Sequence, residues 1–123
     1  MNITTARLSL AAKQIDDGVE YNIYKNSMKV GNCSYQLLSP TSYAYRMLKM
    51  DNIGAFIAYN TRESERGNGI APEAVEAMLT TINQPVKTVV IRKINKSSIR
   101  VAEKLGFALV KQVDGLRIYQ RID

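Results

Sequence analysis

The sequence contains no histidine and only one cysteine, Cys33. Without histidine, the protein cannot use a catalytic site of the Ser-His-Asp or Cys-His type, nor a metal site that depends on imidazole ligands. One cysteine cannot form an internal disulfide, and one thiol cannot replace the several thiolates of a metal cluster. The chemistry therefore has to come from other side chains or from the backbone.

Long apolar runs are also missing. No apolar stretch approaches the ~20 residues of a membrane-spanning helix, and no basic segment followed by an apolar one resembles a leader, so we expect a cytoplasmic protein without membrane contact. There is no repeat or low-complexity linker, and the three prolines lie far apart. With 123 residues, 46% of them hydrophobic, the chain is expected to form one domain over residues 1–123.

The charge balance is basic. Lysine and arginine number 17 against 11 acidic residues, which gives a formal net charge of +6. Such an excess favours an anionic partner, and a phosphorylated cofactor, a nucleic acid and an acidic protein surface all fit it. A nucleic-acid partner rests on this charge alone.

Alternating apolar and polar residues in the first half predict an antiparallel meander. Asn26 and Ser27 are expected to form a tight turn between two strands. Residues 11–17 are too few for more than one or two helical turns. We expect strands at residues 4–10, 19–25, 28–38, 42–50 and 53–59.

The second half has a helical period. Apolar residues at Ala71, Ala74, Val75, Met78, Leu79 and Ile82 share one helix face. Beyond this helix we expect a strand at 86–93, a helix at 97–105 and a hairpin of 107–113 with 116–122 across Asp114-Gly115. This order predicts an α+β fold (mixed α/β) with two main helices.

A glycine-rich segment joins the strand at 53–59 to the first main helix. Two glycines beside a helix N-terminus expose backbone N–H groups that can hold an anion such as phosphate, although a ligand-free turn has the same composition. The segment is no Walker loop, because Gly-Lys-Ser/Thr is absent, and Pro72 does not fit a dinucleotide fingerprint. It consists of Arg66, Gly67, Asn68, Gly69, Ile70 and Ala71.

This segment resembles the Arg-x-x-Gly-x-Gly/Ala signature of the GCN5-related N-acetyltransferases (GNAT). A second segment, residues 95–107, is similar to the Asn-x-x-Ser-x-x-Val-x-Glu-Lys-Leu-Gly-Phe motif of the family, especially in the branch of the ribosomal-protein N-terminal acetyltransferases. Weaker similarities to this branch occur at Thr5-Ala6-Arg7-Leu8, Val30-Gly31, Ile53-Gly54 and Glu73-Ala74-Val75.

The resemblance implies a mixed, mostly antiparallel sheet of about seven strands in which the strands at 53–59 and 86–93 splay apart around acetyl-CoA. The pyrophosphate would lie on the backbone of residues 66–71. Asn95 would contact the pantetheine arm or a water near it, or else cap its helix. Arg100, with Lys93 and Lys96, would attract the phosphates of CoA or form a solvated basic face. The backbone of Phe56, Ile57 and Ala58 would bind the oxyanion.

The implied reaction is acetyl transfer from a thioester to a primary amine. Many members of the family carry a tyrosine where this sequence has Ala102, so that role cannot be carried over. Ser98 matches the serine that the ribosomal-protein branch places near the thiolate, and the resemblance makes it the first candidate proton donor, with helix capping as its alternative role. Tyr59, Glu63 and Glu65 are candidate general bases, and each is also an ordinary residue for a protein surface. An α-amino acceptor, with a pKa of about 8, needs a base less than lysine does.

The acceptor side of the site is expected to be open. Family members usually place two helices between the first two strands, and only residues 11–18 occupy that interval here. An open cleft fits a macromolecular acceptor or a wall supplied by a second subunit in a homodimer. It fits equally well a domain that binds acetyl-CoA or CoA without catalysis and acts through a partner.

Overall fold

A computed structural model describes residues 1–123 and contains an eight-stranded, mostly antiparallel sheet with three α-helices. The sheet order is β1-β2-β3-β4-β5-β6-β8-β7. None of the helices has the length and apolar character that a membrane crossing requires. The elements are β1 (Ile3–Thr4), β2 (Ser9–Ile15), β3 (Gly18–Lys25), β4 (Met28–Leu37), α1 (Tyr43–Leu48), β5 (Ala55–Thr61), a 3-10 turn (Glu63–Glu65), α2 (Ile70–Leu79), β6 (Val86–Arg92), α3 (Lys96–Lys104), β7 (Ala108–Val113) and β8 (Leu116–Ile122).

The chain divides into two compact units, and each is discontinuous in sequence. The first unit comprises Met1–Gln36 and Ala58–Asn83, and the second comprises Leu37–Ile57 and Gln84–Asp123. Strand β5 therefore contributes residues 55–57 to the second unit and residues 58–61 to the first.

Two-residue turns connect β2 to β3 and β3 to β4 in the first unit. Asn26 and Ser27 both have positive φ, of 51° and 66°, and join β3 to β4 as predicted. Asp17, with φ 59°, belongs to a similar turn between β2 and β3. The expectation of a helical turn at residues 11–17 is wrong, because Ala11 and Ala12 pair with Asn22 and Tyr21 in the β2–β3 ladder.

Helix α2 has the predicted apolar face. Ala71, Ala74, Val75, Met78 and Leu79 are all buried. The helix begins at Ile70 and ends at Leu79, while Ile82 lies beyond it and is also buried.

The second unit contains α1 where a strand was expected at residues 42–50. That expectation, based on Tyr43, Tyr45 and Met47 at a period of two, is wrong. The helix instead buries Tyr45 and Leu48 in a cluster with Ile53 and Ile118, and the Tyr45 hydroxyl accepts a hydrogen bond from the backbone N–H of Ile53 at 3.0 Å. Tyr43 remains 70% exposed.

The second unit contains a pair of parallel strands, β5 and β6. Their register runs from Ala55 opposite Lys87 to Ile57 opposite Val89. Strand β8 lies antiparallel to both β6 and β7, and the hairpin across Asp114-Gly115 forms as predicted.

Candidate functional site

The glycine loop of the first unit leads directly into α2. Gly69 is the N-cap residue with φ 76°, and Gly67 has φ 84°, a backbone conformation that favours glycine. No side chain caps the helix. The first N–H groups of a helix have no intrahelical acceptor, and Pro72 has no N–H, so Ile70 and Ala71 present the donors of this terminus. A Cβ atom on Gly67 would meet nothing within 4 Å, so the backbone of Gly67 is accessible, whereas Ile70 and Ala71 are only 1% and 6% exposed. The arrangement can hold an anionic oxygen.

The loop before Gly67 is held by backbone acceptors. The N–H of Arg62 donates to the carbonyl of Val30 at 2.8 Å, which fixes the loop to β4. The Arg66 guanidinium donates from Nε to the carbonyl of Thr61 at 3.2 Å, so this side chain is folded back towards the end of β5. Asn68 is exposed. The backbone of the loop therefore has a defined path into α2.

The candidate bases near this loop differ in their surroundings. Tyr59 on β5 and Glu65 in the 3-10 turn are half-buried, whereas Glu63 is exposed. Glu65 lies 3.9 Å from Nζ of Lys25, a long ion pair. These residues belong to the same unit as the glycine loop.

The first turn of α2 carries a hydrogen-bonded carboxylate, Glu73, that the sequence patterns did not identify as part of a site. Glu73 accepts hydrogen bonds from Oγ1 of Thr5, from the backbone N–H of Arg7 and from Nε of Arg7, at 2.5, 3.0 and 2.7 Å. Burial by itself raises the pKa of Glu73, but the hydrogen bonds from Thr5 and Arg7 outweigh it and hold the pKa below its usual value. The only sequence signal for this contact was that the segments Thr5-Ala6-Arg7-Leu8 and Glu73-Ala74-Val75 both resemble the same family.

In the second unit, Asn95 is the N-cap of α3. Its Oδ1 accepts hydrogen bonds from the backbone N–H of Ser98 and from the hydroxyl of Ser97, both at 3.2 Å. Asn95 therefore caps the helix, and Ser98 supplies a backbone N–H to that cap. Lys93, Lys96 and Arg100 are all exposed.

Strand β5 and helix α3 carry the remaining predicted residues. Phe56 is half-buried and Ala58 exposed, while Ile57 is 1% exposed. Ala102 is fully buried. The structure distributes the predicted residues over both units: Ala58, Tyr59, Glu65, Arg66, Gly67, Asn68, Gly69, Ile70 and Ala71 in the first, and Phe56, Ile57, Asn95, Ser98 and Arg100 in the second.

The solved structures that are similar to this chain include several acetyltransferases. RimL, a ribosomal L7/L12 alpha-N-protein acetyltransferase, matches with a TM-score of 0.68 and 22% identity over 87% of this chain and 61% of its own. A putative GNAT-family acetyltransferase from Bordetella pertussis matches with a TM-score of 0.77 and 18% identity over 98% of this chain and 99% of its own. The N-acetyltransferase PseH from Campylobacter jejuni, solved with acetyl coenzyme A, matches with a TM-score of 0.66 and 8% identity over 89% of this chain and 71% of its own.

These identities establish a common fold, and the chain spans about three fifths of the length of RimL. A comparison with curated protein sequences found no significant match. The family profile of the acetyltransferase (GNAT) domain, however, matches residues 2–108, most of the sequence. The prediction made from the two motifs is confirmed: the chain belongs to the GNAT acetyltransferase family.

Proposed function

We propose that residues 1–123 act as one domain that takes an acetyl group from acetyl-CoA and transfers it to a primary amine. The observation that carries this proposal is the N-terminus of α2, which has no side-chain cap and follows two glycines of positive φ. Family membership adds the expectation that the anion held there is the pyrophosphate of CoA. We assign this contact to the loop from Arg66 to Ala71.

The transfer forms a C–N bond and breaks a C–S bond. The neutral amine nitrogen attacks the thioester carbonyl, the oxygen becomes negative, and its collapse expels the CoA thiolate. The amine loses one proton and the thiolate gains one. Backbone N–H groups in the 56–58 segment would stabilise the oxygen, since preorganised donors at the site of developing charge lower the barrier. Ser98 would supply the proton to sulfur, and Tyr59 or Glu65 would accept the proton of the amine.

Asn95 can combine its cap with a cofactor contact. Its Oδ1 is used by α3, whereas its amide NH₂ group is a separate pair of donors. We assign this group to the pantetheine arm or to a water beside it. Arg100, exposed on α3, would attract the phosphates.

The proposed acceptor is the α-amino group of a peptide or protein. In this chain β2 and β3 are joined by the two-residue turn at Asp16 and Asp17, so the interval that carries two helices in most family members contains none here. This short connection supports an acceptor large enough to form its own wall, or a homodimer in which a second copy provides one.

A non-catalytic domain that captures acetyl-CoA or CoA is the second candidate. Two observations favour it: Ala102 has no hydroxyl and is fully buried, and β5 contains no carboxylate. Such a domain would bind the cofactor through the same loop and act through a macromolecular partner.

Calorimetric titration with acetyl-CoA, followed by a thiol-release assay with several amines, distinguishes these functions. Two peptides serve as acceptors. One has a free N-terminus, and the other has a blocked N-terminus and contains a lysine. Binding with thiol release from either peptide supports the proposed transfer to a primary amine, and release from the free N-terminus alone supports the α-amino group as the acceptor. Binding without release from any amine supports the capture domain, and failure to bind acetyl-CoA contradicts both.

A further inference from the structure

A tight turn between β1 and β2 presents two polar side chains to α2. The N–H of Thr5 donates to the carbonyl of Leu8 at 2.9 Å, and the N–H of Leu8 donates to Oγ1 of Thr5 at 3.1 Å. Leu8 is 2% exposed and holds the turn to the protein interior. The turn therefore holds Thr5 and Arg7 beside the first turn of α2.

Glu73 fixes the orientation of the Arg7 guanidinium. The carboxylate binds Nε and the backbone N–H of Arg7, two separate points that limit the rotation of the side chain. The terminal nitrogens of Arg7 donate to no protein acceptor in the structure, and the side chain is 44% exposed. Arg7 therefore retains N–H donors for a ligand.

These donors lie at the glycine loop. A Cβ atom built on Gly69 would be 3.3 Å from Nη2 of Arg7. Gly69 is the N-cap residue of α2, so the guanidinium stands beside the N–H groups of this helix terminus. An anion on that terminus and a guanidinium at this distance would attract each other strongly, because arginine binds phosphate oxygens in a planar, two-point manner.

We propose that Arg7 is a further cofactor-binding residue, which contacts the pyrophosphate of acetyl-CoA, and that Glu73 is its positioning residue. The inference rests on the proposed function of the loop and adds a residue from outside both sequence motifs. It also explains how a carboxylate is tolerated on the first turn of a helix that binds an anion: the positive charge of Arg7 neutralises Glu73.

Two substitutions separate this role from a purely structural one. Arg7→Gln and Glu73→Gln break the same ion pair, but they change the charge near the loop in opposite directions. A ligand role predicts that Arg7→Gln weakens acetyl-CoA binding about tenfold, as expected for the loss of a charged hydrogen bond. Glu73→Gln keeps an amide oxygen that can still accept a hydrogen bond from Arg7, and it removes a negative charge beside the bound anion, so it should bind acetyl-CoA more tightly than the wild type. A structural tie between the turn and α2 predicts weaker binding in both variants.

The experiment is calorimetric titration of the wild type, both variants and Lys13→Gln with acetyl-CoA and with dephospho-CoA. Lys13→Gln removes one exposed positive charge from β2 of the same unit and controls for net charge. Because dephospho-CoA keeps the pyrophosphate, Arg7→Gln should lower the affinity for both ligands by the same factor. Lys13→Gln should change neither affinity by more than about twofold.

Equal weakening by Arg7→Gln and Glu73→Gln would overturn the proposal, and so would unchanged binding by Arg7→Gln. An effect of Arg7→Gln that disappears with dephospho-CoA would also overturn it, because the contact would then be to the 3′-phosphate. If Arg7→Gln does not fold, Arg7→Lys replaces it. We expect Arg7→Lys to bind acetyl-CoA more weakly than the wild type, but by less than tenfold. Failure of the wild type to bind acetyl-CoA would instead contradict the proposed function itself.

Discussion

Nζ of Lys87, on β6, lies 2.9 Å from Oδ2 of Asp123, and the lysine side chain is only 4% exposed whereas that of Asp123 is 41% exposed. Asp123 also accepts a hydrogen bond from Nε of Arg121 at 2.9 Å. A buried ammonium group without a partner is costly, so the ion pair with Asp123 offsets the burial of Lys87 inside the second unit.

This pair predicts a pH-dependent contribution to stability. Hydrogen bonds from Lys87 and Arg121 lower the pKa of Asp123 in the folded protein. A carboxyl group with a lowered folded pKa stabilises the protein above its unfolded pKa, and this stabilisation is lost as the pH falls below about 4. Asp123→Asn should therefore lower the free energy of unfolding by about 1–2 kcal/mol at pH 7, a modest value because water screens the exposed carboxylate.

The measurement is denaturant unfolding at pH 7 and at pH 3, with Asp51→Asn as a control that removes an exposed carboxylate elsewhere in the unit. The difference between Asp123→Asn and the wild type should shrink at the lower pH. An equal difference at both values would show that the stabilisation does not depend on the charge of Asp123.

Gly54 predicts a steric limit at the start of β5. Its φ is 64°, and a Cβ atom there would lie 2.0 Å from the carbonyl oxygen of Val86, which is backbone and cannot turn away. Gly54→Ala should destabilise the protein by about 3 kcal/mol or more, whereas Gly115→Ala, with nothing within 4 Å of its Cβ, should change stability by about 0.5 kcal/mol or less. Thermal unfolding and the yield of folded protein measure both, and similar stability of the two variants would contradict the close approach.

A pair of substitutions at Gly69 tests the charge of the candidate phosphate site. Gly69→Glu places a carboxylate at the helix terminus and should abolish measurable acetyl-CoA binding. Gly69→Ala shares the strained φ of 76°, and its Cβ meets only the flexible end of Arg7, so it should lose about tenfold or less. Titration with acetyl-CoA gives the two affinities. Unchanged affinity in Gly69→Glu would remove the loop from the cofactor site.

Substitutions of Asn95 separate the helix cap from the proposed cofactor contact. Asn95→Ala should lower stability by about 1 kcal/mol through loss of the cap, whereas Asn95→Ser should keep the capping oxygen and most of the stability. Serine lacks the amide NH₂ group, so both variants should raise the KM for acetyl-CoA about fivefold if this group contacts the cofactor. Wild-type kinetics in Asn95→Ser, measured by thiol release, would limit Asn95 to capping.

The proposed role of Ser98 predicts a specific kinetic change. Ser98→Ala should lower kcat about a hundredfold, the lower end of the range for general acid catalysis, with a much smaller change in the KM for acetyl-CoA. Ser97→Ala is the matched control, because its hydroxyl binds Oδ1 of Asn95 in the same turn, and its kcat should change about threefold or less. Similar kcat values for the two variants would exclude Ser98 as the proton donor.

Local features account for most of what the sequence predicted correctly. The turn at Asn26-Ser27 and the face of α2 depend on residues close together in the chain, and the structure contains both. The prediction of a strand at 42–50 was wrong because Tyr43, Tyr45 and Met47 alternate as in a strand, whereas the residues actually buried are Tyr45 and Leu48. Ile118, a partner of both in the core cluster, lies about seventy residues further along the chain and is invisible to a local pattern.

The sequence by itself determined the family, the helix that follows the glycine loop and the absence of histidine-based chemistry, because motifs, periodicity and composition are properties of neighbouring residues or of the chain as a whole. Tertiary structure decided which side chain lies beside this loop. Arg7 and Glu73 are 66 residues apart, and only the fold brings the guanidinium to the N-terminus of α2. Such a contact depends on the path of the chain between the two residues, which no local pattern contains.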